Sequence, residues 1–234
     1  MDDRKHLQRD AAGIGALADP VRHRLYQFVC DQPAPVTRDQ AADAVGIPHH
    51  QAKFHLDRLT AEGLLETGFA RVTGRSGPGA GRTAKLYRRA GRDIAVSLPQ
   101  REYELAGRLM ATAIARSAGT GEPVTSVLNR VARDYGRAIG ARAGARAPAD
   151  AAGALRRAVE LLSRHGYEPR YGDGEVELAN CPFHALAQEQ TELACTMNHA
   201  LISGVADALA PHGPNARLCP GPDRCCVVLA PGRA

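Results

Sequence analysis

The sequence has no tryptophan, and aromatic residues make up only 4% of its 234 residues. No apolar run approaches the ~18 residues that a membrane-spanning helix needs. The first ten residues, MDDRKHLQRD, also lack the apolar core and the cleavage site of a secretory signal. These absences predict a cytoplasmic protein with no membrane partner. Hydrophobic residues still amount to 44% of the chain, which is enough for one or two domains with their own cores.

Acidic residues are missing from the stretch between Arg71 and Arg92, which carries seven basic side chains. Residues 1–92 hold 15 Lys and Arg against 10 Asp and Glu, whereas residues 93–234 hold 15 of each, so the whole net charge of +5 belongs to the first part. The usual partner of a basic run is a polyanion. We therefore predict a nucleic-acid-binding domain over residues 1–92 and a second, neutral domain over residues 93–234.

The basic part follows the element order of a winged helix-turn-helix. A helical stretch over residues 2–31 restarts at Pro20, and Thr37 with Gln40 forms a capping box that opens a short helix. Gly46 ends that helix, and a second helix follows Pro48. A short helix, a tight turn and a second helix are typical of the helix-turn-helix.

The outer face of the second helix predicts the residues that contact DNA. The side chains near its start normally reach base edges, and a basic hairpin, the wing, contacts phosphates. Residues 64–72 and 85–88 predict the two strands of that hairpin, joined by the Gly- and Pro-rich loop 74–81. The predicted DNA-binding residues are His49, His50, Gln51, Lys53 and Arg58 on the helix, and Arg75, Arg82 and Lys85 in the wing.

Three segments of this part resemble the DNA-binding domain of ArsR-type winged-helix regulators. They read ALADPVRHRLYQFV, VTRDQAADAVGIPHHQAKFHLDRLTAEGLLE and GRTAKLYRR. The resemblance covers some 80 residues and implies a double-stranded DNA operator as the partner. A helix-turn-helix that reads two half-sites needs two copies, so we also predict a homodimer.

The neutral part combines helical periodicity with a small hairpin. Apolar residues recur at helical spacing over residues 103–114, 124–139 and 155–162, and such helices commonly form the dimer contact. The turn Gly172-Asp173-Gly174 then joins two short strands. The predicted fold class is therefore α+β, a winged helix-turn-helix followed by a mostly helical dimerisation and sensor domain with a small β-hairpin or sheet.

Cysteine is concentrated at the end of the chain: Cys30 stands alone, and the other five of the six fall within the last 54 residues. No CxxC pair exists, which argues against a ribbon-type zinc site. Pro182 suits the first position of a helix, so we expect Cys181 at a helix N-terminus, where a thiolate is favoured. Cys195 lies on a helix and Cys225 follows a loop, while Cys30 is expected to be a core residue. Widely spaced single cysteines are compatible with an iron–sulfur cluster.

The segment GYEPRYGDGEVELANCPFHALAQEQTELACTMNHALISG, followed by PDRCCVVL, resembles the C-terminal half of SufR-type regulators. The resemblance implies a repressor whose operator binding is controlled by an iron–sulfur cluster, with a four-iron cluster (4Fe–4S) favoured over a two-iron cluster (2Fe–2S). The residues that match the family's cysteine ligands are Cys181, Cys195 and Cys225. The fourth ligand stays open, with His184 ranked first, Cys219 next, and then His199 and Cys226.

Two other functions remain open at this point. A thiol-redox or small-ligand sensor on the same winged helix would need no metal, because Cys181 could be oxidised and then resolved by Cys195 or Cys225. An enzyme is not expected, since the cysteine region contains no carboxylate pair, nucleophile elbow or cofactor loop.

Overall fold

The structure, a computed structural model, describes residues 3–70, 83–142, 148–221 and 224–232. The chain divides into two compact units, residues 1–96 and residues 97–234. Both contain helices and antiparallel strands, so the predicted α+β class is confirmed. None of the helices in the described ranges combines the length and the apolar character needed to cross a bilayer.

Within its described residues, the first unit packs four helices against a small sheet. Its elements are α1 (Asp3–Ala16), α2 (Pro20–Asp31), β1 (Val36–Thr37), α3 (Arg38–Val45), α4 (His49–Ala61), β2 (Leu65–Ala70) and β3 (Ala84–Arg89). The sheet is antiparallel with the order β1-β3-β2. The predicted loop 74–81 between the last two strands, together with the predicted DNA-binding residues Arg75 and Arg82, lies outside the described residues.

Local sequence signals explain how these helices begin and end. Asp19 caps α2 by accepting hydrogen bonds from the backbone N–H groups of Val21 and Arg22. Thr37 and Gln40 form the predicted capping box of α3, and Gly46 ends that helix at a φ of 71°. This left-handed backbone favours glycine and turns the chain directly into α4.

In the part of the chain that the structure describes, the second unit contains five helices and a four-stranded sheet. Its elements are α5 (Tyr103–Thr120), α6 (Val124–Ala141), α7 (Ala151–Ser163), β4 (Pro169–Gly172), β5 (Glu175–Leu178), α8 (His184–Glu189), α9 (Thr191–Asp207), β6 (Asn215–Leu218) and β7 (Val227–Ala230). The strands are antiparallel in the order β4-β5-β7-β6. The predicted hairpin is therefore the edge of a larger sheet.

Helices α6 and α9 lie in direct backbone contact. A Cβ atom placed on Gly136 of α6 would lie 1.9 Å from the carbonyl oxygen of Leu201, and one placed on Gly204 of α9 would lie 2.0 Å from that of Arg133. No side chain fits at either position. These glycines therefore set how closely α9, which carries Cys195, approaches α6.

Candidate cysteine site and nucleic-acid interface

The sheet of the second unit brings distant cysteines together. Strands β5 and β7 are antiparallel neighbours, so the end of β5, just before Cys181, adjoins the start of β7, just after Cys225. The backbone N–H of Cys225 donates to the carbonyl of Leu178 at 2.7 Å. Cys195 comes from α9, which packs against this sheet.

Four thiols form a connected set, which we call the thiol site: Cys181, Cys195, Cys225 and Cys226. The Cys225 side chain hydrogen-bonds with Cys181 and with Cys226, and Cys226 in turn hydrogen-bonds with Cys195. Cys181, Cys225 and Cys226 are buried, and Cys195 is half-buried. Three segments of the chain therefore supply sulfur to one place.

The expectation that Cys181 lies at a helix N-terminus is wrong, and its surroundings do not favour the thiolate. Helix α8 begins only at His184, so Cys181 lies three residues before it and not at its first turn. Its hydrogen bond with Cys225, together with burial, raises the pKa of Cys181 far above its ordinary value. Cys181 lowers the pKa of Cys225, but Cys226 and burial outweigh this effect and raise it to about 12. Burial also raises the pKa of Cys195.

A buried amide is aimed at the centre of the thiol site. Asn198 is fully buried, and its Nδ2 donates to the Sγ of Cys225 at 3.1 Å. Its Oδ1 accepts a hydrogen bond from the hydroxyl of Tyr167, which is also buried. Because burial raises the pKa of Tyr167 well above its ordinary value, that hydroxyl keeps its proton and fixes the orientation of the amide.

The backbone around Cys181 is bonded to the segment that begins the second unit. The Nη1 atom of Arg101 donates to the carbonyl of Cys181 and to Oδ1 of Asn180, each at 2.7 Å. The backbone N–H of Glu102 donates to the carbonyl of Pro182 at 3.1 Å. The side-chain Nδ2 of Asn180 in turn donates to the carbonyl of Gln100.

The other predicted ligands lie in different surroundings. His184 is exposed at the start of α8, and no hydrogen bond joins its ring to a cysteine sulfur in the described part of the chain. The sulfur of Cys219 accepts a hydrogen bond from Arg224 at 3.3 Å, and the ring of His199 contacts the carbonyl of Ala216. Of the four candidates, Cys226 hydrogen-bonds with two members of the predicted trio, Cys195 and Cys225. Cys30, expected in the core, is half-buried.

Sequence reasoning missed Asn198, Tyr167 and Arg101. Asn198 lies between Met197 and Leu201 on the buried face of α9, and a polar residue in such an apolar stripe is a signal that could have been used. Arg101 offers no comparable signal, because its partners are one backbone carbonyl and one side-chain amide about eighty residues away.

The described residues contain no group of three or more His, Cys, Asp or Glu side chains arranged to hold a single metal ion. An iron–sulfur cluster is larger than one ion and is held by separate thiolates at its corners.

In the first unit, α3 and α4 meet through the turn Gly46-Ile47-Pro48, and α4 presents one buried and one exposed face. Its buried face is formed by Ala52, His55, Leu56 and Leu59. The opposite face exposes His50 and Gln51 near the start of the helix, where base-reading residues normally lie.

A family model described as a helix-turn-helix domain matches residues 17–68. The first unit contains a helix-turn-helix domain. This finding supports a DNA-binding transcriptional regulator of the ArsR or winged-helix type. Comparisons with curated proteins and with solved structures found no match.

Within the helix-turn-helix domain, the predicted DNA-binding residues differ in their present partners. The side chains of His50 and Gln51 are exposed and take part in no hydrogen bond or ion pair among the described residues. His49 contacts the carboxylates of Asp39 and Asp43 at 2.8 and 3.4 Å, and Arg58 pairs with Glu62 at 2.7 Å.

Asp57 connects the predicted reading helix to the wing. It pairs with Lys53 of α4 at 2.8 Å and with Lys85 of β3 at 2.7 Å. Burial alone would raise the pKa of Asp57, but the hydrogen bonds from the two lysines outweigh it and lower the pKa below its usual 3.8. Two of the predicted DNA-contacting cations are thereby held by one carboxylate.

We expect Asp57→Asn to lower the free energy of unfolding at neutral pH by about 0.5–1 kcal/mol, because Asp57 is partly exposed and water screens its ion pairs. A carboxylate with a lowered pKa stabilises the fold above its unfolded pKa, and this contribution is lost as the pH falls through the folded pKa. The difference from the unmodified chain should therefore shrink below about pH 4. Urea titrations across this pH range measure the difference in the free energy of unfolding. Glu66→Gln, which removes the exposed ion pair with Arg88, is the control, and we expect its effect to be smaller. A difference in the free energy of unfolding that persists unchanged in acid would contradict the lowered pKa of Asp57.

Proposed function

We propose that the chain is a homodimeric transcriptional repressor whose operator affinity is controlled by an iron–sulfur cluster. The observation that carries the proposal is the gathering of Cys181, Cys195 and Cys225, from three separate segments, into one buried site. These are the same three residues that the resemblance to SufR-type regulators assigns as ligands. The helix-turn-helix domain in the other unit supplies the DNA-binding output.

The residues of the thiol site fit a cluster by their chemistry. Cluster iron is bound by cysteine thiolates, and the site offers four cysteines. We assign Cys226 as the fourth ligand in place of His184, because Cys226 hydrogen-bonds with both Cys195 and Cys225. When bound, the cluster would provide a redox-active group that is sensitive to oxygen and to the supply of iron.

Protons must leave the thiol site before iron can bind. The protein surroundings raise the pKa values of Cys181, Cys195 and Cys225, which favours the protonated thiols. Since thiolates are the ligands, cluster binding would release these protons. The surroundings of Cys181 therefore differ between the two states.

Arg101 offers a route from the thiol site toward the DNA-binding unit. It holds the carbonyl of Cys181 and lies in the short segment that begins the second unit at residue 97. A change at Cys181 acts on this segment directly, without passing through the helices. A coupling free energy of about 1–3 kcal/mol, or roughly 5- to 150-fold in affinity, is typical of such linked sites.

We expect Arg101→Gln to keep its iron and sulfide but to bring the ratio of DNA affinities with and without the cluster close to one. The physical reason is that the variant loses the bonds to Cys181 and Asn180 but none of the thiols. Arg108→Gln on α5 is the matched control, because Arg108 is exposed and, among the described residues, pairs with Glu104 alone. Iron analysis and fluorescence anisotropy with labelled DNA measure the two properties. If Arg101→Gln keeps the ratio of DNA affinities that the unmodified protein shows, Arg101 does not couple the thiol site to DNA binding.

The proposal is tested by purifying the whole protein without oxygen and measuring iron, acid-labile sulfide and the visible absorption spectrum. We expect iron and sulfide in near-equal amounts and a broad absorption band that air bleaches. Colourless protein that takes up neither iron nor sulfide under reconstitution would reject the cluster. Light scattering of the same sample tests the dimer.

The hydrogen bond between Cys181 and Cys225 also favours a second function, a metal-free thiol switch. Hydrogen peroxide would oxidise the two thiols to one disulfide, with peroxide reduced to two molecules of water. The raised pKa of both thiols works against this reaction, because the thiolate is the nucleophile. A loss of two hydrogen masses on peroxide treatment, in protein without iron, would identify this function.

A further inference from the structure

Phe54 is a large apolar side chain on the outer face of α4. It is 65% exposed, whereas the apolar side chains on the opposite face of the helix are fully buried. Its ring meets the ring of His55 edge-on, with centroids 5.3 Å apart, and this is its one ring contact among the described residues. The core therefore does not require a phenylalanine here.

Phe54 lies among the predicted base-reading residues. His50 and Gln51 precede it by four and three positions and Arg58 follows it by four, so all four lie on one helical face. A helix placed in the major groove through His50 and Gln51 also brings Phe54 against the bases.

The charges around Phe54 favour a polyanionic partner. The side chains of Lys53 and Arg58 are 62% and 56% exposed, while their partner carboxylates on Asp57 and Glu62 are 34% and 15% exposed. The cations therefore face outward around the ring. An apolar side chain with a cationic rim suits a groove of DNA lined by phosphates.

Phe54 has no hydrogen-bonding group, which limits what it can recognise on a base edge. The major groove offers one apolar feature, the 5-methyl group of thymine. We propose that Phe54 is a specificity-determining residue that selects thymine by packing its ring against this methyl group. The proposal rests on DNA binding by the helix-turn-helix and is independent of the iron–sulfur cluster.

The test begins with duplexes selected from a random DNA pool by the full-length protein. In a selected duplex, each thymine is then replaced singly by deoxyuridine, which removes the methyl group and keeps the base pair and its hydrogen-bonding pattern. We expect the affinity to fall about fourfold at one thymine in each half-site, since burying one methyl-sized group contributes about 0.8 kcal/mol. Phe54→Ala should bind the duplex with thymine at that position and the duplex with deoxyuridine there with equal affinity.

Phe69→Ala is the matched control, because Phe69 is an equally exposed phenylalanine on β2 and not on α4. It should keep the preference for thymine over deoxyuridine whatever its effect on overall affinity. The proposal is overturned if no position distinguishes the two bases, or if Phe54→Ala keeps the full preference. Recovery of no preferred duplex at all would instead reject sequence-specific DNA binding, and with it both this inference and the proposed function.

Discussion

Replacing Cys225 with serine is expected to abolish the binding of iron and sulfide in protein purified without oxygen. Cys225 is almost fully buried, and it is the thiol that contacts Cys181, Cys226 and the amide of Asn198. A serine hydroxyl is close in size but stays protonated, so it cannot replace a thiolate ligand. Metal and sulfide analysis, together with the visible absorption spectrum, measure the loss.

Cys219→Ser provides the matched control for this prediction. Cys219 is half-buried, and its sulfur accepts a hydrogen bond from Arg224. We therefore expect this variant to keep iron and sulfide at the level of the unmodified protein. Far-ultraviolet circular dichroism of both variants separates a lost ligand from a lost fold. Equal cluster content in the two variants would contradict the assignment of Cys225.

Gly136→Ala and Gly204→Ala are each expected to lower the free energy of unfolding of the second unit by about 2–4 kcal/mol. The added methyl group would meet a backbone carbonyl of the facing helix at 1.9 or 2.0 Å, and a carbonyl in a helix cannot turn aside as a flexible side chain can. Helices α6 and α9 must therefore separate. Urea denaturation followed by circular dichroism measures the change.

Gly107→Ala is the control for this prediction, since Gly107 lies within α5 and has no atom within 4 Å of an added Cβ. Alanine is the better helix former, so we expect a gain of up to about 1 kcal/mol. If Gly136→Ala is as stable as Gly107→Ala, the close contact of α6 with α9 is wrong. Because α9 carries Cys195 and Asn198, the destabilised variants should also hold the cluster less well.

The helix-turn-helix could be predicted from the sequence because its signals are local. The capping box of Thr37 and Gln40 and the turn at Gly46 lie within a few residues of the helix ends they define. The hairpin before Cys181 was found for the same reason, through its turn residues.

The thiol site was only partly predictable because its members depend on long-range pairing. The register of β5 with β7 places Cys226 beside the trio, and no spacing in the sequence encodes that register. Because α8 begins only at His184, Cys181 does not lie at a helix end. The backbone contact at Gly136 depends on α9, a helix some seventy residues away. These features follow from tertiary packing and not from local propensity.

The most direct test of the account is the affinity of one selected DNA duplex for the same protein preparation with and without its cluster. We expect a difference of about 5- to 150-fold between the two states, and a return to the affinity of the cluster-free protein when the cluster is removed by oxygen and a chelator. Equal affinities in the two states, with the cluster shown to be present, would contradict control of DNA binding by an iron–sulfur cluster.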